Sequence, residues 1–421
     1  MLIGAVMHRT WLGVAVSMGL LACGSSSSPS ALPPAEDSAG SATSGGGDTA
    51  ATGEGSSGGG GSDFGGGSSG GGSGGDTGGF AAGASTGSGS GSAIASPPEA
   101  PPPSTVAADA SAPPPVVTTG SAGVLTAGVW DDSLNYPFFS GYLASHGQIA
   151  GDPGFTMAQY DAAHAASAQR TPRTVVDAAV VMDTTGSMGD EIAYLTAEFE
   201  SIAAAITAKF PNADQHWALV VYRDTPDFDP GDAYVVKSFD FTGSASTFAA
   251  TVGAQSANGG GDYPESPELG IEQLQKLTWR TDPSVAKLAF WVADAPHHVE
   301  RAAAMKQAIV DTQTAGIHLY PVSASGTDDL LELTMRSAAE ITGGRYLFLT
   351  DDSGVGGPHK TPEIPCYYVT RLEKALVRVV SMELSGDYIG PDAADVLRVS
   401  GSASPDGTCA VENDGGTVQI F

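Results

Sequence analysis

The stretch that decides the fold is residues 175–191, VVDAAVVMDTTGSMGDE. An apolar run from Ala178 to Met182 stops at a carboxylate, Asp183. Such runs, without polar alternation, mark parallel strands covered on both faces. Beyond Asp183, hydroxyls fall at alternate positions, Thr185 and Ser187, ahead of a helix start. Alternate side chains of extended backbone share a face. Asp183, Thr185 and Ser187 therefore converge at the carboxyl end of a buried strand, where open α/β sheets place their ligands. Carboxylate and hydroxyl oxygens are hard donors, suited to Mg²⁺, Mn²⁺ or Ca²⁺. Ser187 also fits a helix N-cap, with Asp190 three residues on as a variant capping box.

Outward from this stretch, strand and helix patterns alternate. Strands are expected at 175–182, 216–223, 234–239, 287–293, 317–322 and 345–349. Helices are expected at 189–209, 245–254, 266–277, 299–315, 327–342 and 367–383. The last carries Leu372, Leu376, Val379 and Val380 on one face. The pattern predicts an α/β domain with a doubly wound, mostly parallel sheet. Upstream, LTAGVWDDSLNYPFFSGYL at 125–143 is dense in aromatics that need a core. A further helix fits Thr156 to Gln169.

Five strings in order carry a family resemblance: DTTGSMGDE (183–191), VYRD (221–224), GGGDYPE (259–265), VADAPHH (292–298) and TGGRY (342–346). With these, residues 174–384 resemble a von Willebrand factor type A domain, a Rossmann-like fold. Asp183-Thr184-Thr185-Gly186-Ser187 resembles that family's metal-ion-dependent adhesion site, D-x-S/T-x-S. The segment LTAGVWDD at 125–132 resembles a leader found before such domains. The resemblance implies that Thr185 and Ser187 bind the ion directly, Asp183 through water, and that Asp294 joins them. It also implies an open coordination position for a partner's carboxylate. Asp262 stands where the familiar pattern has a Thr. A carboxylate there would tighten the metal site and weaken its pull on an acidic ligand.

Each neighbour has a blander reading. Glu265 fits the first turn of the next helix, favoured there by the dipole. Asp224 fits either support of the site or an Arg223–Asp224 structural pair. His297 and His298 are adjacent, so they do not point to one zinc ion. The folded part carries no G-x-S-x-G elbow, P-loop, H-E-x-x-H or Cys–His pairing, which argues against an enzyme.

The balance of 18 Lys+Arg against 47 Asp+Glu, a net charge of -29, argues against nucleic acid as a partner. At the N-terminus, His8 and Arg9 precede an apolar segment, Trp11 to Ala22, too short to span a bilayer. Leu20-Leu21-Ala22-Cys23 resembles a bacterial lipobox, which would put a lipid anchor on Cys23. Gly24 and Ser25 after the cysteine point to the outer membrane of the cell envelope. Residues 23–121 are Gly- and Ser-rich, then Pro-rich, and read as a disordered tether reaching on the order of 55 Å. Cys366 and Cys409 form an even pair that fits a disulfide in an exported protein, or two separate thiols.

The chain thus divides into a signal peptide (1–22), a linker (23–121), an aromatic extension (122–173), the α/β domain (174–384) and a tail packed on it (385–421). The expected function is a lipid-anchored, extracytoplasmic module that binds a protein or glycan ligand through a divalent cation. Two alternatives stand beside it: an envelope assembly element with a purely structural ion, and a metal-dependent hydrolase.

Overall fold

The computed structural model describes residues 122–147, 149–168, 170–261, 263–411 and 416–421. The expected signal peptide, Cys23, the linker through residue 121, and Asp262 lie outside the described residues.

The first strand, β1 (Thr126–Trp130), leads into helices α1 (Tyr136–His146) and α2 (Met157–Ser167). There follow β2 (Val175–Asp183), α3 (Ile192–Lys209), β3 (Gln215–Tyr222), β4 (Val236–Thr242), α4 (Ala245–Gly253) and α5 (Pro267–Glu272). Next come β5 (Val285–Ala293), α6 (Ala302–Thr314), β6 (His318–Ser323), α7 (Asp329–Thr342) and β7 (Tyr346–Leu349). The chain closes with β8 (Tyr367–Arg371), α8 (Leu372–Ser385), β9 (Arg398–Ser400), β10 (Thr408–Ala410) and β11 (Thr417–Gln419).

Nine strands form one sheet in the order β4-β3-β2-β5-β6-β7-β1-β8-β9. Pairing is parallel from β3 to β7 and antiparallel at both margins. The fold is a mixed α/β sandwich with a mostly parallel central sheet. Alternation along β2 explains the two layers. Ala178, Val180 and Met182 face a core with Leu195, Phe199 and Ile202 of α3 and Leu376 and Val380 of α8. Ala179 and Val181 face the opposite core, with Ile271 of α5, Met305 and Ile309 of α6, and Leu331 and Met335 of α7. Burial on both faces is why these strands lack polar alternation.

Helix ends follow local chemistry. Asp328 caps α7 by accepting from Leu331 N at 2.8 Å, and Gly343 ends it at φ 78°. Thr156 and Gln159 form a capping box on α2.

Two expectations need correction. Residues 367–371 are the strand β8, and the last helix begins at Leu372. The sequence YYVTR is aromatic and β-branched, and it pairs with both β1 and β9. Cys366 therefore directly precedes a strand, bridged by a disulfide to Cys409 of β10. The aromatic leader also supplies β1, which pairs antiparallel with β7 and β8 inside the sheet.

Among the described residues no helix is long and apolar enough to cross a membrane.

Candidate metal centre

The sheet reverses its winding direction at β2. From β2 the chain moves outward through β3 to the edge, then returns on the other side through β5. Ligand crevices of open α/β sheets lie at such a switch point, beyond the carboxyl ends of the strands. Asp183 is the last residue of β2, and Asp294 directly follows β5.

The first loop is built around Asp183. Its Oδ1 accepts from Thr185 N at 2.8 Å and from Thr185 Oγ1 at 2.7 Å, and Thr185 Oγ1 lies 3.3 Å from Ser187 Oγ. Ser187 falls inside a short 3₁₀ turn, Gly186–Asp190, and so is not the N-cap of α3. The three expected residues of this loop thus stand together. Asp294 joins them: the Ser187 hydroxyl and the charge of Asp183 both bear on its carboxyl.

Burial of this set is near complete. Asp183, Asp294 and Glu265 are 0%, 3% and 1% exposed. Asp183 Oδ2, Asp294 Oδ1 and Glu265 Oε2 have no hydrogen-bond partner among the described residues. Burial raises the pKa of the Asp183–Asp294 pair, and their mutual repulsion adds to it at Asp294. Burial, with repulsion from Asp183, Asp224 and Asp294, pushes Glu265 up to about 10. A buried carboxylate is ordinarily paired or coordinates a metal. These unpartnered oxygens, beside two hydroxyls, fit a hard dication of the Mg²⁺ type. No three His, Cys, Asp or Glu side chains among the described residues stand close enough to hold an ion alone. An ion there would also need the hydroxyls of Thr185 and Ser187.

Glu265 is the residue that sequence reasoning placed elsewhere. α5 starts at Pro267, so Glu265 precedes the helix instead of lying in its first turn. Its backbone N donates to Pro296 O at 2.8 Å, which draws it toward the Asp294 loop. The Pro264 and Pro267 that flank it were the available signal, since both restrict a helix start there.

Arg223 and Asp224 do not pair with each other. Arg223 is buried and braces two loops, donating to Thr184 O at 3.1 Å and Ser256 O at 3.1 Å, and it faces Asp232 at 3.5 Å. Asp224 takes His298 Nε2 at 3.0 Å and the Ser266 hydroxyl at 2.7 Å. His297 Nε2 instead meets Gly151 O at 2.8 Å. The adjacent histidines thus serve different loops.

Residues 178–325 match the family model of the von Willebrand factor A domain. The chain is 28% identical over 123 residues to the alpha-protein kinase vwkA of Dictyostelium discoideum, a match covering 29% of this chain and 19% of that protein. Among solved structures, the pilus adhesin SpaC of Lactobacillus rhamnosus GG is similar at 11% identity and a TM-score of 0.34, over 44% of this chain and 29% of that one. The chain thus spans less than a third of the length of either protein.

Proposed function

We propose that this domain binds a protein or glycan ligand through a divalent cation, Mg²⁺ or a similar hard ion. Asp183, Thr185, Ser187 and Asp294 would hold the ion, with Asp262 of the Gly259–Asp262 loop as a further ligand. The single observation that carries the reading is the pair of buried, unpartnered carboxylate oxygens of Asp183 and Asp294 at the switch point. A bound dication supplies a Lewis-acidic docking point for a ligand oxygen. The chain's own part is to bind and orient it. Asp183 fixes the Thr185 hydroxyl, and the Arg223 bridge from Thr184 to Ser256 holds the first loop against the second. The role is binding rather than turnover.

The anchor and location belong to the same proposal. Lipid on Cys23 would hold the domain at the bacterial envelope, at the outer membrane, on the 23–121 tether. Its support is the sequence Leu20-Leu21-Ala22-Cys23.

The test is binding of the full chain to arrayed glycans and envelope proteins, in Mg²⁺ and in chelator. The proposal expects binding that chelator abolishes and that Asp294→Asn lacks. Binding that persists in chelator would favour an assembly element with a structural ion.

A further inference from the structure

We infer that the groove between α3, α8 and the tail beyond α8 binds a small organic acid, whose single carboxylate seats on Arg378. The site shares no residue with the metal centre and stands whether or not an ion binds there.

Position comes first. Arg378 lies in the middle of α8 and lines a groove of about 740 Å³. Lys209 at the end of α3 and the tail from Ile389 to Asp395 line it as well. Pockets for small molecules run from about 300 to 1,000 Å³, so the space suits one. Val377, Ile389 and Pro391 give it apolar surface for the body of a ligand.

Burial comes next. Arg378 is 6% exposed, and its Nε and Nη1 have no hydrogen-bond partner among the described residues. The other buried guanidinia there are each matched by a carboxylate. Arg223 faces Asp232 at 3.5 Å, Arg336 meets Asp132 at 2.6 Å, and Arg345 meets Asp131 at 2.8 Å. Arg378 instead sits over the Phe421 ring, 4.5 Å from its centre, which offers only the partial negative charge of an aromatic face. Burial pulls its pKa down to about 10, which leaves it charged at neutral pH. A buried charge is costly unless it is paired, so the guanidinium calls for an anion.

The surroundings then decide the ligand class. Around Arg378 the groove carries Lys209 and Lys374 against Glu373, Asp392 and Asp395, with Lys374 already 3.9 Å from Asp395. One carboxylate matches Arg378 and takes charge-assisted hydrogen bonds from its free donors. A phosphate or a polyanion would bring further negative charge against three carboxylates.

The experiment uses the full chain, benzoate as the carboxylate probe and benzamide as its uncharged counterpart, read by melting temperature. Benzoate is expected to raise that of the wild type by about 2–4 °C, and benzamide to leave it unchanged. The rise should be the same with and without Mg²⁺, which separates this groove from the metal centre. Arg378→Met removes an unpaired charge, so it is expected to melt no lower than the wild type and to lose the benzoate response. Arg378→Met melting well below the wild type would overturn the inference, because the guanidinium would then have its partner within the chain. So would a benzoate response that is absent from the wild type, kept in Arg378→Met, dependent on Mg²⁺ or matched by benzamide. Inorganic phosphate giving a larger rise than benzoate would overturn the choice of a carboxylate.

Discussion

Glu383 of α8 and Asp183 of β2 are both carboxylates buried against the same sheet, yet their surroundings are opposite. Glu383 pairs with Arg170 at 2.6 Å and His318 Nδ1 at 2.9 Å, and accepts from Tyr320. Those cations, acting against burial, hold its pKa well below the usual range. Arg336 of α7 shows the same economy, meeting Asp132 at 2.6 and 2.9 Å and Glu332 at 3.3 Å. At the carboxyl ends of β2 and β5, by contrast, Asp183, Asp294 and Glu265 keep unpartnered oxygens and raised pKa values. The paired set is explained by the fold alone. The unpaired set would be met by a cation, the reading proposed above.

The largest expected effect breaks the paired region. Arg336→Met leaves Asp132 buried without its cation and Glu332 with Lys360 alone, and should cost about 3–5 kcal/mol in urea unfolding. A loss no larger than that of a surface substitution would erase the contrast.

Next is the tail. Cys409→Ser opens the Cys366–Cys409 disulfide, which spans a sequence separation of 43. The expected loss is about 2–4 kcal/mol. Mg²⁺ affinity should stay unchanged, because neither cysteine belongs to the loops of the metal centre.

At the unpaired end, Gly260→Ala forces a Cβ onto Glu265 and Thr185 at positive φ. It should cost about 1–3 kcal/mol and weaken Mg²⁺ binding with it. Unchanged affinity would show that the second loop need not approach the first.

Asp294→Asn should do the reverse of a damaging mutation. It relieves repulsion at the cost of function, so the metal-free protein should gain on the order of 1 kcal/mol while losing its Mg²⁺ response. The pH dependence has the matching sign. Asp183, Asp294 and Glu265 have raised folded-state pKa values, so their stability is fully present below the ordinary carboxylate range. It is lost as pH rises from there, toward about 10 for Glu265. Saturating Mg²⁺ should flatten that decline. Glu383 behaves oppositely: its depressed pKa gives stability that is present above the ordinary range and lost on acidification. Melting curves across pH, with and without Mg²⁺, separate the two.

The contrast also shows what the sequence could tell. All six expected strands from 175 to 349 are present; in five of them burial on both faces leaves an apolar signature, as in Leu288 to Val292 of β5, while β4 is largely exposed at the sheet edge. β1 and β8 were harder. β1 is five residues long, and its small Gly128 packs under the Phe348 ring, so it has little pattern of its own. β8 runs straight into α8 with no turn residue between Arg371 and Leu372, so its five residues read as the helix's first turn. At the site, Asp183, Thr185 and Ser187 were legible from their alternate spacing, although only Asp183 lies on β2 and Ser187 falls in the 3₁₀ turn rather than on extended backbone. Asp294 was legible as the carboxylate that ends β5. Glu265 was not, because its direction depends on a pairing with His297, 32 residues away in sequence.

The central claim is that the unpaired end is completed by a dication. Titration calorimetry of the full chain with Mg²⁺ tests it most directly. One site in the wild type, absent from an Asp183→Ala/Ser187→Ala variant that still melts cooperatively, is the predicted result. Equal heats from the two proteins, or none from the wild type, would contradict it.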